Sequence, residues 1–438
     1  MASQKPSQDK SPRANQEESH AKGQSLAWRL GLVYAALFLI IGCYLPYLPV
    51  WLEWRALSAD QIAILLATPL FGRILIAPTV SFTADRLGDR RLILILSAWG
   101  SLASFGALML SDGFWPMLFA MVLVAIASTT LMPLTETVAI SAIRRTRLDY
   151  GRVRLWGSLS FIGASLGVGV VIQYWGAGLV LPFLMLAASL MVLGAYLIPR
   201  DLGTTQGRGH APAKAPVQRL RVRDGLALVR SPLFLIFLLA ASLIHGSHAL
   251  LYAFGSLHWR AQGFSGGTIG ALWSIGVIVE IALFAVSGRV IARIGSARLF
   301  VFAGFATTLR WSFMAFDPPL WATAVLQSLH AMSFGAAHLA AIHFLTHAVP
   351  EDRSATAQGL YSAVVAGLVM GTATLVCGPL YESLGGEAYA VMAGVAAIGT
   401  IAAILLRQHW NGGLVAAVAP ARPYPQSAGE GGKTMPPS

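Results

Sequence analysis

Twelve apolar stretches follow one another along this chain, at residues 28–52, 59–82, 92–110, 116–143, 152–175, 179–198, 232–258, 267–288, 299–316, 320–347, 356–380 and 388–407. Each is close to the ~20 residues that a helix needs to cross a hydrocarbon layer ~30 Å thick. A chain of 438 residues with 56% apolar and only 11% charged residues has too little polar surface to coat a soluble body. The expected fold class is therefore an all-α membrane protein of twelve transmembrane helices.

The cations say which way it lies. Of 31 lysines and arginines, 27 fall in seven segments that share one side of the membrane once the twelve stretches span it. Arg55 and Arg260 alone sit in the opposite loops, and Arg73 and Arg310 lie within spans. Positive charge held on the cytoplasmic side is the orienting signal of helical membrane proteins, so both termini are expected in the cytoplasm and the protein in the inner membrane. The net charge of +12 is spread over short loops and lines no single face, which argues against a nucleic-acid partner and for anionic lipid headgroups. Cys43 and Cys377 lie far apart in apolar stretches and suggest neither a disulfide framework nor a metal site.

Residues 199–231 are the longest internal polar segment, with Gly203, Gly207, Gly209, Pro212 and Pro216 marking a linker, and VQRLRVRDGLALVR within it suits a short surface helix. The expected organisation is a disordered cytoplasmic segment 1–27, a six-helix bundle 28–198, a cytoplasmic linker 199–231, a second six-helix bundle 232–407 and a disordered tail 408–438. The halves repeat. SFTADRLGDRR after span two and GRVIARIGSAR after span eight are 207 residues apart, with Arg86 over Arg293 and Gly88 over Gly295. The same offset sets Arg73 over Glu280. A parallel repeat of six helices is the architecture of carriers that rock one half against the other. Gly163/Gly167, Gly266/Gly270 and Gly367/Gly371 carry the small-residue spacing of close helix contacts.

The loop SFTADRLGDRR resembles the signature between helices two and three of the major facilitator superfamily. Asp85, Arg86, Gly88, Arg90 and Arg91 match, whereas Ser81 replaces the leading glycine and Asp89 a usual basic residue. PLTETVAISAIRRTRLDYGRVRLWGS resembles the helix four to five region of the lactose permease group, matching at Pro133, Glu136 and Arg154. Arg310 and His330 look like that group's arginine of helix nine and histidine of helix ten, but Ser333 stands where its proton-coupling glutamate would be. CYLPYLPVWLEWRALSADQI, HGSHALLYAFGS, MAFDPP and HAMSFGAAHLAA look more like the phenylpropionate permease branch, grouped with nucleoside and oligosaccharide proton symporters. The resemblance implies two pseudo-symmetric six-helix bundles around a central cavity, a sugar-site type ion pair at Glu136 and Arg154, and a cytoplasmic gate loop at Asp85 to Arg91.

Ionisable groups inside a membrane usually face a cavity or a partner. Arg73 lies about 21 Å along span two from its outer end, and Glu280 about 20 Å along span eight, at 1.5 Å per residue. For Arg73 two readings stand, a substrate anion or a structural salt bridge; for Arg154, pairing with Glu136 or snorkelling to headgroups. Arg310 is read as a structural or coupling partner. His245, His248, His330, His338 and His343 crowd spans seven and ten, and imidazole exchanges protons near neutrality. Tyr44, Tyr47, Tyr252 and Trp273 are candidate walls for a ring. No metal box, nucleophile and base pair or phosphate loop is present in the sequence, so neither an enzyme nor a cofactor is expected, with a proton as the coupling ion. The leading expectation is a monomeric secondary transporter importing a small organic anion, such as an aromatic carboxylate, with a proton; the alternatives are a neutral sugar or nucleoside symporter and an exporter.

Overall fold

The computed structural model describes residues 12–87, 89–146, 148–200 and 227–415, and nearly all of them are helical. In hydrocarbon a helix satisfies every backbone hydrogen bond within its own segment, so apolar stretches of this length have little choice. Spans one to six are Pro12–Trp54, Ala59–Leu87, Arg90–Leu110, Phe114–Ser128 with Leu131–Thr146, Tyr150–Trp175 and Val180–Leu197. Spans seven to nine are Pro232–Gly246 with Ala249–Ala261, Gly266–Ala285 and Ser296–Met314. Span ten joins Leu320–Ser328 to Ala336–Ala348, span eleven joins Glu351–Tyr361 to Met370–Leu384, and span twelve is Ala388–His409. Spans eleven and twelve form one apolar run, Arg353–His409, divided at a tight turn where Gly385 takes φ 55°. The twelve spans are even in number, so the two ends of the described chain share one face, called here the terminal face.

Four spans are interrupted mid-way. Span four breaks at Thr129 and Thr130, span seven at Ser247 and His248, and spans ten and eleven pass through the π-helical turns Ala331–Gly335 and Ser362–Val369. Such interruptions free backbone groups and re-aim side chains, and they recur where carriers bind their cargo. His248 and His330 both sit at an interruption.

Span five packs on span eight, span two on span eleven and span one on span seven. A Cβ on Gly266 would strike the Gly169 carbonyl and one on Gly270 the Ser165 carbonyl, so the backbones of spans five and eight touch. Gly371 and Gly367 admit Phe71 and Ile74 of span two in the same way. Two of the three expected glycine pairs are thus contacts between halves. Gly163 and Gly167 face open space, and the glycine that span five uses is Gly169. Near the face opposite the termini, Arg260 pairs with Glu53 across the halves at 3.3 Å and the Gly267 amide donates to Gln173 at 3.2 Å. Arg55 binds Asp112 and the Ser111 carbonyl within the first half. Both opposite-side arginines are therefore engaged. One apolar core runs through the first half and into the second through Leu257, Trp259, Trp273 and Tyr389, while a separate core around Phe237, Phe300 and Phe344 belongs to the second half alone. Leu131–Thr146 and Ala336–Ala348, the terminal-side parts of spans four and ten, pack principally within their own halves.

Several expectations change. The repeat loops differ in shape: after span two the helix runs straight to Leu87, whereas Ser287–Ile294 is a separate helix bent 105° from span nine at Gly295, whose φ is 76°. The first helix begins at Pro12, so the described part of the segment 1–27 is helical; proline suits a first helical position, and Asn15 to Lys22 carry no breaker. Residues beyond span twelve also fold back, with Val415 buried and its amide on the Ala348 carbonyl at 2.8 Å, and Trp410 edge-on to Phe344 at 4.8 Å. Residues 1–11, most of the linker, the surface-helix motif as far as residue 226, and the tail from 416 lie outside the described residues.

Candidate functional site

Between the halves lies a cavity of about 250 Å³ walled by spans one, two, three, four, seven and eleven. Its lining is aliphatic and aromatic, with Tyr44, Phe105 and Tyr252 among the rings, and Arg73 is its one charged residue. Span two comes close enough to present Arg73 because Gly72 lies against Ala125 of span four, where a Cβ would sit 2.9 Å from the alanine Cβ. No hydrogen bond or ion pair reaches the Arg73 guanidinium among the described residues. A permanent cation without a counter-charge among the described residues, set in an apolar hollow inside a membrane, is costly to hold until a partner meets it. Tyr44 and Tyr252 line the cavity as expected. Tyr47 does not: its hydroxyl donates to the Ser165 carbonyl and the ring is buried between spans one and five. Trp273 stands behind the wall, stacked on Tyr252 at 6.1 Å and donating to Ser256 at 2.9 Å.

Behind Tyr252 lies a second cluster, built on the broken spans seven and ten. Arg310 enters it from span nine, fully buried, and donates to Gln327 at 2.8 Å and to Ser333 at 3.1 Å, with His330 Nδ1 also 3.1 Å away. His248 reaches the same Ser333 hydroxyl through Nε2 at 3.3 Å, and its Nδ1 meets the Ile244 carbonyl at 3.0 Å. Glu280 of span eight stands 4.0 Å from His330 Nε2. The 207-residue offset that sets Arg73 over Glu280 does not bring the two together; each lies in a different cluster. His245 and His338 are held at the edge by Phe334, whose ring also contacts His248, Tyr252 and His330. His343 lies nearer the terminal face, stacked on His347 at 3.9 Å. Gln327 and Phe334 were not singled out from the sequence. Gln327 carried a signal, a polar side chain one turn from His330 in an apolar stretch; Phe334 carried none.

Glu136 and Arg154 also meet, at 3.7 Å, and Tyr150 donates to the same carboxylate at 2.8 Å. The Arg154 guanidinium lies 4.0 Å over the Phe38 ring, and Gly157 leaves the space for both. In the loop after span two, Arg86 is exposed, and Arg91 ties span three to the end of span six through the Ile198 carbonyl at 2.6 Å and that of Tyr196 at 2.9 Å. Arg90 is engaged too. Gly88 and the side chains of Asp85, Arg144, Arg145 and Arg147 lie outside the described residues.

Two six-helix bundles with interrupted spans, and between the bundles a cavity that holds one charged residue, are the build of a membrane transporter. Residues 27–391 match the model of the MFS_1 like family, and the chain belongs to that family. It is similar to the probable 3-phenylpropionic acid transporter of Escherichia coli (strain K12), 32% identical over 377 residues that cover 85% of this chain and 96% of that one. It is also similar to the maltose permease of Geobacillus stearothermophilus, 28% identical over 353 residues, covering 80% and 86%. Among solved structures, the nucleoside transporter NupG shares the fold, with a TM-score of 0.74 at 16% identity over 88% of this chain and 100% of that one.

Proposed function

We propose that the chain carries a small aromatic carboxylate into the cell together with a proton. The observation that supports this most is Arg73, a cation with no partner among the described residues, in a cavity of about 250 Å³ with three aromatic rings in its wall, which suits one ring with one anionic group. The relative named for 3-phenylpropionic acid agrees with it. With the termini in the cytoplasm, as the loop charges indicate, the packed face looks outward and this conformation opens inward. Moving an anion against a negative interior costs about 2.3 kcal/mol per charge per 100 mV, so one accompanying proton makes the cycle electrically neutral. Glu280, 4.0 Å from His330 beside the fixed cation Arg310, is the group we assign to that proton.

The Glu136 to Arg154 pair and the maltose permease relative favour a second reading, a neutral sugar as cargo. The two separate in one experiment, calorimetric titration of the purified protein with 3-phenylpropionate, maltose and a nucleoside. Binding of the acid alone is expected; saturable binding of maltose without the acid would replace the first reading by the second. Uptake into vesicles with and without an inward proton gradient then tests coupling, and we expect a monomer to suffice because the cavity is complete within one chain.

A further inference from the structure

Five hydroxyl-bearing side chains line the cavity: Tyr44, Ser128, Thr129, Tyr252 and Thr374. Three have spent their proton inside the protein. Ser128 donates to Ser101 at 3.0 Å, Thr129 to the Ala125 carbonyl at 2.6 Å and Thr374 to the Met370 carbonyl at 2.8 Å. The phenols of Tyr44 and Tyr252 have no hydrogen-bond partner among the described residues. Both rings are nonetheless held, Tyr44 against Phe105 at 6.4 Å and Tyr252 between Trp273, His248 and Phe334. The cavity therefore offers two fixed, unused O–H donors besides the guanidinium, one from each half of the protein.

Their depth separates them from Arg73. Counted from the outer helix ends at 1.5 Å per residue, Tyr44 lies about 15 Å and Tyr252 about 14 Å deep, while Arg73 lies about 21 Å deep. Side chains on a helix lean toward its N-terminus, and spans one and seven run toward the outer face while span two runs away from it, so the two phenols and the Arg73 side chain lean toward one another within the cavity. An acid anchored on Arg73 would thus have both phenols beside it in the same cavity. An unsubstituted ring leaves both donors idle in an apolar setting, whereas a ring oxygen accepts from them.

We infer that Tyr44 and Tyr252 make this site selective for aromatic carboxylates that carry a hydrogen-bond acceptor, a hydroxyl or methoxy oxygen, on the ring. This rests on the aromatic-acid reading above and extends it to the far end of the cargo. The test is calorimetric titration of the full chain with 3-phenylpropionate and its 3-hydroxyphenyl, 4-hydroxyphenyl and 4-methylphenyl analogues, repeated on Tyr44→Phe and Tyr252→Phe. At least one hydroxylated acid should bind ten-fold or more tightly than the methyl analogue of similar size, and one or both Phe variants should erase that ratio. Equal affinity for hydroxyl and methyl analogues, or a preference that survives both variants, overturns the inference and leaves the aromatic-acid reading standing. A parallel loss of 3-phenylpropionate affinity would put the phenols on the carboxylate and overturn it equally. Failure of every aromatic acid to bind would instead remove the reading on which it depends.

Discussion

Replacing Arg73 by glutamine separates a cargo-binding cation from a structural one, because the two roles shift stability in opposite directions. A structural arginine loses hydrogen bonds when cut back, and the apo protein weakens. Arg73 has no partner to lose among the described residues, while a charged side chain at the bilayer centre costs about 2.5–3.5 kcal/mol on insertion scales. Arg73→Gln should therefore leave apo stability unchanged or raised. Hydrogen bonds to a charged group contribute about 1.5–3 kcal/mol, and 1.4 kcal/mol is a factor of ten, so affinity for 3-phenylpropionate should fall about 10- to 140-fold. Thermal denaturation in detergent, with and without the acid, reads both effects on one sample. The expected record is an apo Tm equal to or above the parent and a ligand shift largely gone. An apo Tm several degrees lower with the ligand shift intact would refute the assignment and make Arg73 a structural group.

The remaining expectations follow from the same geometry. Glu280→Gln should abolish uphill uptake driven by a proton gradient while sparing exchange of internal for external substrate; undiminished accumulation removes Glu280 from the coupling role. Arg310→Met strands the buried Gln327 acceptor, at about 1–3 kcal/mol for a buried group left unpaired, and removes one of the bonds to Ser333, so it should lower the apo Tm where Arg73→Gln does not; equal Tm values for the two variants would contradict the distinction. Gly266→Leu drives a side chain into the Gly169 carbonyl and should part the halves on the face opposite the termini, seen as a longer distance between spin labels placed at Glu53 and Arg260. An unchanged distance would show that the glycine contact does not govern closure.

The number of crossings and, the start of span one apart, their limits to within a few residues were legible in the chain, because each depends on a window of about twenty residues and on the polarity of the loops beside it. The broken spans were less so. His248 and His330 were noticed for their type, but nothing in apolar runs such as those around them announces a π turn or a mid-span cap, which tertiary packing supports. Tyr44 and Tyr47 are three residues apart on one helix; one lines the cavity and the other is locked against span five, and Trp273 stands a layer behind Tyr252. Gly163 and Gly167 have the contact spacing and touch nothing. A helix in water shows which face is inward by the polarity of the other face. In a bilayer the lipid and the protein interior are both apolar, so that stripe is missing. Hydropathy alone determined how many times this protein crosses the membrane and which loops share a side. Which side chains meet between the halves, and that Arg73 has no hydrogen bond or ion pair among the described residues, was decided by how twelve nearly uniform helices pack.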